Sequence, residues 1–184
     1  TAPSPVKWMD VAHGLVNNVD RYVAVGWSGG GMWSGDGENW NLGNTPQSAG
    51  TTGGSSWSGV CYGDKFVAVA QTGIYKLMYS QDGETWIGDN SALSDTDGWK
   101  DIAYGNGTYV AVSTSAISTN PIRYSTDGGA TWLAANQPPL DVNNTWNGVC
   151  YGDGKFVAVS GGSASTDQIA YSTDGINWTS VDSP

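Results

Sequence analysis

Positive charge is scarce in this chain. Seven Lys and Arg are scattered singly among 184 residues, against 17 acidic residues, for a formal net charge of −10. No basic stripe exists to displace counterions from a phosphate backbone, which argues against nucleic acid and against anionic membrane surfaces as partners. His13 is the sole histidine, and the only cysteines are Cys61 and Cys150, far apart in the chain. That leaves no zinc ligand spacing and no sound base for a Ser-His nucleophilic arrangement. No apolar run approaches the ~20 residues of a membrane-spanning helix. Thr1 is not followed by a basic and apolar leader, so the chain is expected to be soluble and already processed.

What is present points to a turn-rich β protein. Charged residues make up only 13% of the chain while Gly fills 27 positions, a balance that disfavours helices. Ten Trp and nine Tyr supply the buried area that a disordered tract lacks. A chain of this length buries ~70% of the surface it exposes when unfolded, enough for a core. Of the 17 acidic residues 15 are Asp, which accepts hydrogen bonds from its own turn backbone, so most of the negative charge reads as turn chemistry.

The tryptophans reveal a repeat. Trp40, Trp86, Trp132 and Trp178 are spaced 46 residues apart, and a period of that size is the mark of a repeat architecture. Each ends a turn segment: Ser34-Gly-Asp-Gly-Glu-Asn-Trp40, Ser80-Gln-Asp-Gly-Glu-Thr-Trp86, Ser125-Thr-Asp-Gly-Gly-Ala-Thr-Trp132 and Ser172-Thr-Asp-Gly-Ile-Asn-Trp178. Asp-Gly between β-prone runs signals a hairpin. Trp8, Trp57, Trp99 and Trp146 open the units, and after a short Gly/Asn/Asp turn come Tyr22-Val-Ala-Val25, Phe66-Val-Ala-Val69, Tyr109-Val-Ala-Val112 and Phe156-Val-Ala-Val159. These are apolar and β-branched enough to be buried strands. A third strand closes on Tyr79-Ser80, Tyr124-Ser125 and Tyr171-Ser172, with Trp33 in the Tyr place of the first unit.

Each unit therefore reads as a four-stranded antiparallel meander, and the chain as all-β. Such a sheet has two apolar faces, which neighbours must cover, and radial closure is a standard way to protect the edges. The expected fold is a small β-propeller of four four-stranded antiparallel blades in one domain over 1–184, with blades at 6–43, 55–89, 98–135 and 145–182. An open stack, or a larger ring completed by a second chain, is the alternative. The phase of the strands makes each blade contiguous in sequence, and only the Pro-bearing residues 1 to 7 could lie along the last blade. Units 2 and 4 share Gly-Val-Cys-Tyr-Gly-Asp, whereas units 1 and 3 carry Asp-Val-Ala-His and Asp-Ile-Ala-Tyr. A four-fold ring would set Asp10 across from Asp101. Duplication of a two-blade ancestor accounts for this better than a metal or ligand site built from the two Asp residues. Cys61 and Cys150 occupy matching places and read as small core residues rather than as a disulfide.

The segment from Ser125 to Trp132 resembles the Asp-box, the Ser-x-Asp-x-Gly-x-Thr-Trp hairpin of bacterial neuraminidase repeats and other β-propellers. The other three copies are one residue shorter. In that family the box is a structural turn away from the catalytic cleft, which implies structural roles for Ser34, Asp36, Trp40, Ser80, Asp82, Trp86, Ser125, Asp127, Trp132, Ser172, Asp174 and Trp178. The family's enzymes use three arginines on the substrate carboxylate and six blades; here Arg21 and Arg123 are the only arginines, and Glu38 and Glu84, the only glutamates, lie inside hairpin turns. The acidic, lysine-poor, Gly/Ser/Thr-rich repeats are also similar to modules of phage virion proteins and bacterial surface proteins.

No catalytic residue, metal ligand or cofactor is assigned. Glycoside hydrolysis needs two opposed carboxyls, but Asp36, Asp82, Asp127 and Asp174 recur once per unit, which favours a structural role. His13 stands in a Tyr place of the repeat and reads as a core or rim substitution. Gly152-Asp-Gly154 and Asp95-Thr-Asp97 lack the spacing of a calcium loop and read as turns. The sequons at Asn106, Asn143 and Asn177 would matter only in a eukaryotic secretory pathway. The repeats diverge most in the loop after each second strand: Gly26 to Gly31, Ala70 to Lys76, Ser113 to Pro121 and Ser160 to Gln168. Recognition usually sits in such loops. Trp27, Tyr75 and Asn120 are the candidate ligand-binding residues, because sugar rings stack on exposed aromatic faces while amides bond their hydroxyls. The expectation is a non-enzymatic interaction module, extracellular or on a virion surface, recognising a glycan or protein partner. A purely structural decoration protein of a phage particle or surface assembly is the alternative, and a glycoside hydrolase is a weaker one.

Overall fold

The computed structural model describes residues 7–46, 54–89, 93, 98–115, 120–136, 145–161 and 169–181. The Asp95 and Asp97 segment, the sequon at Asn143, residues 1–6, residues 116–119 of the third variable loop and 162–168 of the fourth lie outside the described residues. Among the described residues there is no α-helix, and no helix long and apolar enough to cross a membrane.

Among the described residues sixteen strands form four four-stranded antiparallel sheets, each a meander in sequence order. The first holds β1 (Trp8–Val16), β2 (Val19–Gly26), β3 (Gly31–Ser34) and β4 (Asn41–Leu42). The second holds β5 (Ser56–Tyr62), β6 (Phe66–Thr72), β7 (Leu77–Ser80) and β8 (Ile87–Asp89). The third runs through β9 (Trp99–Gly105), β10 (Thr108–Ser113), β11 (Ile122–Ser125) and β12 (Leu133–Ala134). The fourth runs through β13 (Trp146–Gly152), β14 (Lys155–Ser160), β15 (Ile169–Ser172) and β16 (Thr179–Val181).

Local sequence explains the hairpins. Asn17-Asn18, Asn106-Gly107 and Asp153-Gly154 all have both residues at positive φ, the backbone that a two-residue hairpin turn needs to match strand twist. Asp153 therefore serves a β turn between β13 and β14. The first strand of every sheet carries a register irregularity just after its Trp, as between Trp57 and Gly59 or Trp146 and Gly148. The extra residue changes the phase of the strand, so that Trp57 and Val60, three apart, enter the same core.

The chain divides into two compact units, Thr1–Asp95 and Thr96–Pro184, each containing two sheets. In the first unit one face of the first sheet contributes Val23 and Val25, with Ala12, Val16 and Trp33 beside them, to a core completed by Trp57, Val60, Phe66, Ala68, Met78 and Trp86 of the second sheet. The second unit repeats the plan. Ala103, Val110, Val112 and Ile122 of the third sheet meet Trp146, Val149, Phe156, Ala158, Ala170 and Trp178 of the fourth. We call the donor face of the earlier sheet its back and the receiving face of the later sheet its front. Burial of each large side chain stabilises the packing by about 1.5–3 kcal/mol.

Backbone contacts fix the spacing of each pair. The Asn44 amide donates to the Glu84 carbonyl and the Trp86 amide to the Asn44 carbonyl, at 2.7 and 3.2 Å; Asn136 makes the same bonds with Ile176 and Trp178 at 2.8 and 3.0 Å. The Tyr62 ring lies flat against Gly14 and the Tyr151 ring against Gly105, so close that a Cβ on either glycine would stand 2.2 or 2.1 Å from ring carbon. The Tyr62 hydroxyl also donates to the Leu15 carbonyl at 2.5 Å.

Gly105 and Gly152 occupy the same repeat position, yet a Cβ on Gly152 would meet nothing within 4 Å. Gly105→Ala is expected to lower unfolding stability by about 1–3 kcal/mol through overpacking, while Gly152→Ala is neutral or gains about 0.4–1 kcal/mol from reduced chain entropy. Urea melts of the two variants would check the contrast.

Candidate functional site

The described carboxylates of the repeat hold backbone. In each turn the Ser hydroxyl donates to the Asp carboxylate, at 2.9 Å for Ser34–Asp36, Ser80–Asp82 and Ser172–Asp174 and at 2.8 Å for Ser125–Asp127. The same Asp oxygen accepts the amides of Glu38 and Asn39, of Glu84 and Thr85, of Ile176 and Asn177, and of Thr131 in the longer third turn. The Ser oxygen accepts the amide of Gly37, Gly83, Gly129 or Gly175. Each Trp then donates its indole N–H to that glycine's carbonyl, at 3.0–3.1 Å. The third turn absorbs its additional residue with two consecutive positive-φ glycines, Gly128 and Gly129.

These bonds favour the ionised carboxylates. The Asn39 side chain and the Asn39 and Glu38 amides hold Asp36 well below the ordinary carboxylate range. The Thr131 hydroxyl and amide, with Ser125, bring Asp127 down to about 2. At Asp174 burial pushes upward, but the Asn177 amide and side chain, the Ile176 amide and Ser172 together bring it to about 2. Asp82 is lowered in the same way, burial being outweighed by the Thr85 and Glu84 amides and Ser80.

A second pair of carboxylates bridges sheets. Asp10 accepts the Val11 amide on one oxygen and, across to the second sheet, the Val60 amide on the other, both at 2.8 Å. In the second unit Asp101 does the same for Ile102 and Val149, again at 2.8 Å. The second and fourth sheets carry Gly59 and Gly148 where the first and third carry Asp, so the earlier sheet supplies the acceptor that the later sheet lacks. Burial raises Asp10 despite its two backbone donors. Among the described residues no group of three or more His, Cys, Asp and Glu side chains is arranged to hold a metal ion.

Arg21 donates to Glu84 at 2.7 Å and lies over the Trp33 ring at 4.1 Å, joining the first two sheets. His13 sits on the rim, half exposed, with Nε2 2.7 Å from Asp20 and its ring against Tyr22. Both cysteines are thiols, but neither is a core residue as the sequence suggested: Cys61 is half buried and Cys150 exposed, because their side chains lie outside the two buried clusters. None of these cross-sheet partners was identified from sequence, although the alternation of Asp and Gly in the repeat carried a signal of the Asp10 and Asp101 bridges.

The candidate recognition residues have different surroundings. Trp27 begins a single 3-10 turn, Trp27–Gly29. Its amide donates to the Lys7 carbonyl at 3.0 Å, the Gly29 amide donates to the Ser55 carbonyl at 2.9 Å, and the Lys7 ammonium lies 5.1 Å from the indole centroid. The indole remains 38% exposed. Tyr75 is half buried: its ring lies against Gly88, next to Pro46, and its amide donates to the Ser55 hydroxyl at 3.2 Å. Ser55 thus ties both loops of the first unit, but Tyr75 belongs to the scaffold as much as to the surface. Asn120 is half buried just before β11 in the second unit.

A separate cleft of about 650 Å³ opens on the front of the first sheet, lined by Trp8, Met9, Asp10, Val11, Ala24, Met32 and Trp40.

No protein-family model and no curated protein sequence matches the chain. Solved structures do. It is similar to YCF48 bound to D1 peptide (TM-score 0.66, 17% identity, 98% of this chain and 56% of that one). It is likewise similar to YCF48 from Cyanidioschyzon merolae (0.65, 15%, 100% and 58%) and to the Niastella koreensis GH74 enzyme (0.60, 16%, 96% and 24%). The chain spans little more than half the length of the two YCF48 chains. At these identities the likeness shows the fold alone, a β-propeller, here with four four-stranded antiparallel blades.

The turn carboxylates give a pH signature. Their folded-state pKa values lie below the ~4 of a free aspartate, so their stabilisation is present above pH ~4 and is lost as pH falls through the folded values, about 2 for Asp127 and Asp174. Asp10 is raised, so its effect is opposite in sign: protonation relieves the penalty of burying its charge. The urea midpoint is expected to fall between pH 4 and 2, and Asp174→Asn to show a shallower fall than the parent.

Proposed function

We propose that this chain is a non-enzymatic interaction module whose blade scaffold presents the Trp27 loop to a partner. The observation that carries the reading is the division of labour among polar and aromatic groups. The four turn carboxylates and the Asp10 and Asp101 pair are engaged with backbone amides, leaving none of them as a free pair to flank a scissile bond. The indole of Trp27, by contrast, is open to solvent on a turn fixed at both ends by backbone bonds. A rigid aromatic beside a cation is the kind of group that dominates recognition surfaces, because it buries much area with little loss of freedom.

A protein segment is the first partner class, supported by the similar YCF48 structure, which is described as bound to a peptide. A glycan stacking on Trp27 is the second, supported by the exposed indole and by the resemblance of the Ser-x-Asp turns to the Asp-box. The acidic, lysine-poor composition fits a module displayed outside a cell or on a virion.

Peptide and glycan arrays with the parent chain and Trp27→Ala would decide between the partner classes. Binding that weakens roughly tenfold or more in the variant, at unchanged melting behaviour, is the expected outcome. Binding that is indifferent to Trp27→Ala would move the site off this loop, and turnover of a glycoside substrate would replace the module with an enzyme.

A further inference from the structure

The dipeptide Asn-Gly occurs twice in the chain, as Asn106-Gly107 and Asn147-Gly148, and both asparagines are exposed. In this pair the next backbone nitrogen can close a five-membered ring on the side-chain carbonyl carbon, and glycine has no Cβ to obstruct it. The fold sets the two copies in opposite circumstances. Asn147 lies in the strand β13, where Gly148 is paired with Val159 and a Cβ on it would stand 3.5 Å from the Val159 side chain and 3.6 Å from the Asp101 carboxylate. The Asn147 amide nitrogen donates to the Thr145 carbonyl at 3.4 Å and lies against Gly161. Asn106 and Gly107 instead form the two-residue turn between β9 and β10. Strand pairing ends at Gly105 and Thr108, both turn residues are exposed, and a Cβ on Gly107 would meet nothing within 4 Å. An exposed turn opens locally at little cost, whereas Asn147 can rearrange only by breaking a ladder.

We propose that Asn106 is a site of spontaneous deamidation, and that one of its two products loosens the contact between the third and fourth sheets. The Gly107 nitrogen bonds to Asn106 Cγ, the Cγ–Nδ2 bond breaks, and the side-chain nitrogen leaves as ammonia with the proton given up by Gly107. Water then adds to one of the two carbonyls of the cyclic imide. Opening at Cγ gives Asp; opening at the backbone carbonyl gives isoaspartate, in which the chain runs through the former side chain. The Asp product has a native precedent, since Asp153-Gly154 fills the same turn in the fourth sheet, with φ 47° against 49° for Asn106. Isoaspartate has none. It adds one atom to the backbone of a two-residue loop whose geometry sets the register of its strands. Gly105, which that register holds opposite Thr108, is also the glycine against which the Tyr151 ring of the fourth sheet lies. The modification therefore acts on a contact between sheets and not on the turn alone.

The test ages the full chain in warm neutral buffer and follows tryptic peptides by mass spectrometry, with enzymatic methylation to reveal isoaspartate. Cleavage after Lys100, Arg123 and Lys155 puts Asn106 and Asn147 on separate peptides. The Asn106 peptide is expected to show the mass of an amide exchanged for an acid at least roughly tenfold faster than the Asn147 peptide. In concentrated urea the two are expected to react alike, because only the fold distinguishes them. The aged chain is expected to unfold at lower urea in proportion to its isoaspartate, while Asn106→Asp, which carries the other product alone, keeps the parent midpoint. Equal rates for Asn106 and Asn147 in the folded chain overturn the assignment, as does an Asn106 peptide that stays intact. An isoaspartate-bearing chain that unfolds with the parent overturns the link to the sheet contact, and so does an Asn106→Asp variant as weakened as the aged chain.

Discussion

A four-stranded sheet with apolar side chains on both faces needs another surface over each of them, and this requirement organises the chain. Within each unit it is met by stacking one sheet's valines, such as Val23 and Val25, against the next sheet's aromatics, such as Trp57 and Phe66. Several polar groups serve that stacking. Asp10 and Asp101 supply acceptors across it, Tyr62 and Tyr151 lie flat on glycine backbone, and Asn44 and Asn136 extend hydrogen bonding from one sheet to the turn of its neighbour.

The repeating turns solve a different problem. A reversal ahead of each fourth strand leaves several amides without strand partners, and a buried or half-buried amide left unpaired is costly. One Ser and one Asp gather them, while the Trp closes the turn through its own N–H and, in the last three of the four repeats, buries its ring. The lowered pKa values of these aspartates follow from the hydrogen bonds of that gathering.

Much of this architecture could be read from the sequence because it is local. The Val-Ala-Val strands, the Asp-Gly turns and the tryptophan spacing are contiguous patterns, and they led to four-stranded antiparallel blades. The bridges could not be read that way: Asp10 meets a backbone amide 50 residues on, and Arg21 meets Glu84 across 63. No local pattern specifies such a partner. Nor does the sequence distinguish Trp40 from Trp86, since both end the same motif and differ only in what lies over them. Tyr75 shows the converse, an aromatic that stands outside the repeat in sequence yet rests on Gly88 in the fold.

The Asp and Gly alternation gives the array a parity. Within each unit the Asp-bearing sheet and the Gly-bearing sheet after it are a coupled pair, and a Gly-bearing sheet without its predecessor would leave the Val60 or Val149 amide without its carboxylate acceptor. A designer who wishes to lengthen this protein should therefore copy its sheets in couples, an Asp-bearing sheet together with the Gly-bearing sheet it serves.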